Sequence, residues 1–185
     1  MWARLCDNWV YGGVTLSLVL LSLMPLIKPA LSDAGFLTLL CLPVYAVHQW
    51  EEHDNNRFVT FVNSKVAVGR RGLTTADSFI INVVGVWFAL AATLWLVERS
   101  GQAGWALIGF FLLLVNGAAH VVGAMRLRQG NPGFWTALVL FLPFGLWGAW
   151  HIWTAASEPQ ILVSLGLILV LHILIIAQAM RPKEA

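Results

Sequence analysis

Phe36-Leu37-Thr38-Leu39-Leu40-Cys41-Leu42-Pro43-Val44-Tyr45-Ala46-Val47-His48-Gln49-Trp50-Glu51-Glu52-His53 is an apolar run that ends in a dense polar cluster. Residues three and four apart share a helix face, so on a continuing helix His48 reaches both Glu51 and Glu52. A charged carboxylate costs roughly 2.5 to 3.5 kcal/mol at the centre of a membrane helix, and persists mainly where it pairs, binds an ion or does chemistry. Alone, the tail also admits a plainer account, in which Glu52-His53-Asp54-Asn55 is the wet end of a membrane helix and Glu51 snorkels beside it.

The surrounding chain decides between these accounts. With 59% hydrophobic and 11% charged residues over 185 positions, it is far more apolar than an ordinary soluble domain. The expectation is one all-α integral-membrane domain over residues 1–185. Ten tryptophans suit a membrane interface, and a net charge of +2 spread along the chain excludes a nucleic-acid partner. Cys6 precedes the first span and Cys41 lies inside the second, so no disulfide is expected between them.

Six apolar runs approach the ~20 residues that cross ~30 Å of hydrocarbon. They are Trp9 to Ile27, Gly35 to Trp50, Phe79 to Val97, Trp105 to Met125, Phe134 to Trp153 and Ile161 to Met180. The first is read as a retained span, because Asp7 interrupts its basic head and no clear A-x-A site follows. Glycine, proline and small polar groups break the chain between spans. In a six-helix bundle the termini share one side with the second and fourth loops. That side holds nine basic residues, Arg57, Arg70, Arg71 and Arg126 among them, against only Lys28 and Arg99 opposite. The asymmetry predicts cytoplasmic termini. The connector from His53 to Asp77 mixes Phe58, Phe61 and Val62 with Arg57 and Lys65, as a cytoplasmic interfacial helix requires. A surface anchor is the preferred reading of it, and a lid over the polar cluster the other.

At 1.5 Å per residue the polar side chains can be sorted by depth. His48, Glu51, Glu52, Asn82, Asn116, His120 and His172 fall in the cytoplasmic half, whereas His151 lies at the far interface among tryptophans. Polar groups from separate spans at one depth predict a shared polar cavity. Imidazole and carboxylate ligands together suit one divalent zinc or iron ion, held by His48, Glu52, His120 and His172. Glu52 is preferred as ligand because it stands four residues from His48. Glu51 then becomes the base that holds water, with Asn116 and Arg57 completing the catalytic set. The H-E-x-x-H signature and multiple histidine boxes are absent. The expected chemistry is water activation, or proton or oxygen transfer, on a lipidic or apolar small molecule. Pro43 is expected to bend the second span and open a lateral gap.

His48-x-x-Glu51-Glu52 resembles the motif that names the HXXEE-domain family of small multi-span bacterial membrane proteins, and Asn116-x-x-x-His120 in a later span is similar in kind. The resemblance implies a metal-binding membrane enzyme and names no substrate; a place in the bacterial inner membrane and a setting in lipid metabolism are expectations beyond it. Glu51-Glu52 followed by Arg57 resembles the E-E-x-x-x-R element of glutamate-type intramembrane proteases, with one residue too many and the later Asn/His order reversed. A metal-free alternative resembles isomerases of the emopamil-binding type. A proton or metal-ion transporter would need polar steps across both membrane halves, yet Leu16 to Leu23, Leu90 to Leu96 and Phe144 to Trp150 carry no ionisable group.

Overall fold

The computed structural model describes residues 1–183 and is helical throughout, with no strand among the described residues. The helices are α1 (Trp2–Ile27), α2 (Asp33–His53), the short α3 (Arg57–Phe61), α4 (Thr75–Ser100), α5 (Ala103–Leu127), α6 (Phe134–Trp153) and α7 (Glu158–Ala179). Five of them, α1, α4, α5, α6 and α7, are long and apolar enough to cross a membrane. The polar tail of α2 keeps that helix out of the set.

Local chemistry sets the boundaries. The Ser32 hydroxyl accepts from the Gly35 N–H at 3.0 Å and starts α2. Thr74 and Asp77 form the capping box expected at the start of α4, and Ser157 and Gln160 form another at α7. Pro43 is tolerated inside α2, where it is buried. Helix α5 is central: Leu107, Phe110, Leu112 and Leu113 are almost fully enclosed and pack with Cys41, Leu90 and Phe141 of the helices around it. Helices α1 and α7 expose leucine, isoleucine and valine outward, as lipid-facing helices do. Cys6 and Cys41 are both free.

The polar groups gather at one end of this bundle. There the Trp2 ring meets Phe79 edge-on at 5.3 Å, and the Arg71 and Gly72 N–H groups donate to Arg181 and Ala179 carbonyls at 2.9 and 3.0 Å. The two ends of the described chain and the connector between α2 and α4 therefore lie together.

That connector departs from the preferred sequence reading. Asn55 and Asn56 adopt left-handed backbone, φ +53° and +56°, a conformation asparagine tolerates, and turn the chain sharply after α2. The Asn63 side chain then clamps both backbone groups of Leu73 at 2.8 Å, closing the loop on itself. Phe58, Phe61, Val62 and Leu73 pack inward against Ile81 and Ala179 rather than resting only on a surface. The connector covers the polar end of the bundle.

Candidate metal centre

Glu52 is 4% exposed and receives three imidazoles. His120 Nε2 stands 3.3 Å from Oε1, while His48 Nε2 and His53 Nε2 stand 3.5 and 3.0 Å from Oε2. The i,i+4 spacing on α2 brings His48 over Glu52, and α5 delivers His120 from the facing side.

Hydrogen bonds assign the tautomers of two of these rings. The Thr136 hydroxyl lies 2.5 Å from Glu51 Oε2 and 2.8 Å from His48 Nδ1. A carboxylate only accepts, so Thr136 donates its proton to Glu51 and accepts from the His48 Nδ1–H. His120 follows the same logic. The Asn131 amide donates to the His120 carbonyl at 2.8 Å, which leaves Asn131 Oδ1 to accept from His120 Nδ1–H at 2.7 Å. Neutral His48 and His120 therefore both aim bare Nε2 lone pairs at the carboxylate. Acceptors facing acceptors require a cation between them, a proton or a metal. His48 Nε2 is buried without a hydrogen-bond partner among the described residues.

Donor atoms of His48, Glu52 and His120 all lie within 4.8 Å of one another, and this buried group could hold a metal ion. The two contacts run to different oxygens of the carboxylate, 3.3 Å from His120 to Oε1 and 3.5 Å from His48 to Oε2, each near the about 3.3 Å that separates neighbouring ligands at 2.0–2.1 Å around a tetrahedral ion.

His53 lies outside this triad and is oriented by a relay. The Trp87 Nε1–H, which can only donate, bonds Gln49 Oε1 at 2.8 Å, so Gln49 Nε2 donates to Asn82 Oδ1 at 2.9 Å. Asn82 Nδ2 then donates to the Ser78 carbonyl and faces His53 Nε2 at 3.2 Å. The Ser78 hydroxyl lies 3.0 Å from His53 Nδ1. With its hydrogen on Nε2, His53 donates to Glu52 Oε2 at 3.0 Å and accepts from the Ser78 hydroxyl at Nδ1.

The turn before α6 closes the other side. Gly133 has φ +87°, and a Cβ there would stand 2.8 Å from His48 Cε1 and 2.9 Å from His120 Cε1. Only glycine lets this backbone pass so close to both rings.

The group borders a cavity of about 280 Å³. Its wall carries Glu52, His53, Asn82, Asn116, His120, Asn131 and His172, and is otherwise apolar, with Tyr45 and Phe58 against the histidines. Some wall residues also face outward: Leu127 is 36% exposed, Ile176 61% and Met180 38%. Val66 of the connector, also on the wall, is 48% exposed, so the cavity reaches the surface near the connector end, and Pro43 is not among its wall residues.

The structure separates the sequence-derived candidates. His48, Glu52 and His120 converge. His172 and Asn116 reach the same cavity, but His172 is not part of the triad. Glu51 does not line the cavity. Its carboxylate accepts from the Thr136 hydroxyl and from the Trp135 and Thr136 N–H groups at 3.2 and 2.7 Å, anchoring the start of α6, where free N–H groups favour an anion. It positions His48 through Thr136 instead of holding water at the centre. Arg57 does not reach Glu51. It donates to the Asp54 and Trp50 carbonyls at 3.0 and 3.4 Å, satisfying the end of α2, and pairs with Asp54.

Four contributors, His53, Asn131, Gly133 and Thr136, escape sequence reading. His53 reads as the polar end of a span, and Asn131 and Gly133 read as a helix-breaking turn. The signal that could have found the last three is a glycine and an amide just before a span with a threonine in its first turn.

Fold and site together define a helical, membrane-like protein with a buried His/Glu cluster able to hold a metal ion. Within that class, the chain belongs to the family described as "Protein of unknown function with HXXEE motif", whose model matches residues 39–148. The match spans His48 through Thr136 and leaves His172 outside. No curated protein and no solved structure matches the chain.

Proposed function

We propose that this protein is a six-span metalloenzyme of the bacterial inner membrane that activates water, or transfers protons or oxygen, on a lipidic or apolar substrate. The observation that carries the reading is the pair of bare Nε2 lone pairs facing buried Glu52 at the edge of an apolar cavity. His48, Glu52 and His120 hold one divalent ion, zinc or iron, which supplies Lewis acidity and lowers the pKa of bound water. Thr136, Glu51 and Asn131 orient the imidazoles. His53 moves a proton to and from Glu52 Oε2, and Phe58 with the connector excludes bulk water. Helix α2 counts as the sixth span, since its 21 residues extend about 31 Å.

Metal analysis of the detergent-purified protein tests the centre. About one equivalent per chain is expected, lost in His48→Ala and in His120→Ala. A second reading, metal-free proton transfer on an apolar substrate, is favoured by the 3.0 Å His53–Glu52 contact, which an Nε2–H hydrogen bond explains without a metal. Substoichiometric metal indifferent to both substitutions would select it.

Orientation rests on the basic asymmetry, with both termini cytoplasmic. Single cysteines placed at positions 55 to 72 should react with impermeant reagents only from the cytoplasmic side; labelling from outside would reverse the topology.

A further inference from the structure

The cavity has a second polar locus that the metal centre does not use. His172 Nδ1 lies 2.9 Å from the Ile168 carbonyl, which can only accept, so Nδ1 carries the hydrogen and Nε2 is a bare acceptor. That Nε2 is buried with no hydrogen-bond partner among the described residues, and so is Asn116 Oδ1. Both side chains line the cavity that Glu52 and His120 also line. Asn116 stands one turn from His120, about 6 Å further along α5 from the connector end. Two orphaned acceptors in an apolar wall each carry a desolvation penalty until a donor reaches them.

We propose that the hydroxyl of a long-chain alcohol donates its one hydrogen to His172 Nε2 and accepts from the Asn116 amide, which turns its Nδ2 toward that oxygen, while the apolar body of the alcohol fills the cavity. A hydroxyl supplies the donor His172 lacks and an acceptor for the Asn116 amide without carrying charge, and so suits walls that are otherwise apolar. The outward-facing wall residues Val66, Leu127, Ile176 and Met180 give that body an apolar way in at the connector end. This deepens the enzyme reading by naming a substrate class, and it rests on that reading for the location of the chemistry beside Glu52. The binding site itself does not require the metal. His172 lies outside the residues matched by the family model, so this locus belongs to features of the chain beyond the motif.

The test uses the full-length protein in lipid nanodiscs with a long-chain primary alcohol bearing a mid-chain diazirine, followed by mapping of photolabelled peptides. Labelling of α5 and α7 should be competed by 1-dodecanol, and about tenfold less effectively by dodecane or dodecyl methyl ether, as expected for loss of a buried hydrogen bond. His172→Phe and Asn116→Leu should each cut labelling about tenfold with metal content unchanged, while His172→Gln, which keeps an acceptor, should retain it. Equal competition by alkane and alcohol overturns the proposal, as does preferential competition by dodecylamine or unaltered labelling in both apolar variants. Labelling that follows this pattern in a protein found to hold no metal would support the alcohol site and remove only the metalloenzyme reading.

Discussion

Glu52→Gln should lower metal affinity by more than about 100-fold, whereas Glu51→Gln, Thr136→Val and Asn131→Leu should each lower it by about 10- to 100-fold, the range for groups that orient ligands. The contrast follows from what each side chain touches. Glu52 places oxygens 3.3 and 3.5 Å from the Nε2 atoms of His120 and His48, so its replacement removes a donor from the centre. Glu51 and Thr136 act on the far nitrogen of His48, and Asn131 on the far nitrogen of His120. Their loss frees tautomer and ring orientation but leaves all three donors present. Competition against a chromophoric chelator measures all four variants on one scale. Equal affinity in Glu52→Gln and wild type would remove the carboxylate from the centre, and a greater loss in Glu51→Gln than in Glu52→Gln would exchange their roles.

Gly133→Ala should destabilise the protein by roughly 2 to 5 kcal/mol. Left-handed backbone costs an L-residue about 1 to 2 kcal/mol, and overpacking adds about 1 to 3. At φ +87° both penalties apply, because the new Cβ would press on the His48 and His120 rings and on Glu52 Cβ. Relief requires the turn to lift from the centre, so metal affinity should fall with stability. Gly130→Ala is the control, since a Cβ there meets nothing within 4 Å and its effect should stay within about 0.5 kcal/mol. Denaturant titration in mixed micelles reads both variants. A neutral Gly133→Ala would mean that the turn does not seal the centre.

The class of protein was legible without coordinates, since composition and apolar runs of membrane length depend only on residue type and order. The cap of α4 and the start of α2 were legible too, because capping is local. So was the pairing of His48 with Glu52, which the helical repeat alone enforces.

What sequence order could not supply is which side chains from distant segments face one another. Glu51 and Glu52 are adjacent in the chain and differ by about 100° around α2, and the position of α6 alone turns one into an anchor and leaves the other at the centre. Arg57 follows the two acids closely, yet the left-handed Asn55 and Asn56 send it back to cap α2. His53 joins Glu52 only because Trp87, Gln49 and Asn82 hold α4 against α2. The sequence by itself determined a helical membrane-type chain and one polar helix face. Tertiary packing decided that His120 meets the buried carboxylate and that Thr136 meets His48, because these contacts join residues 68 and 88 positions apart and no local period encodes them.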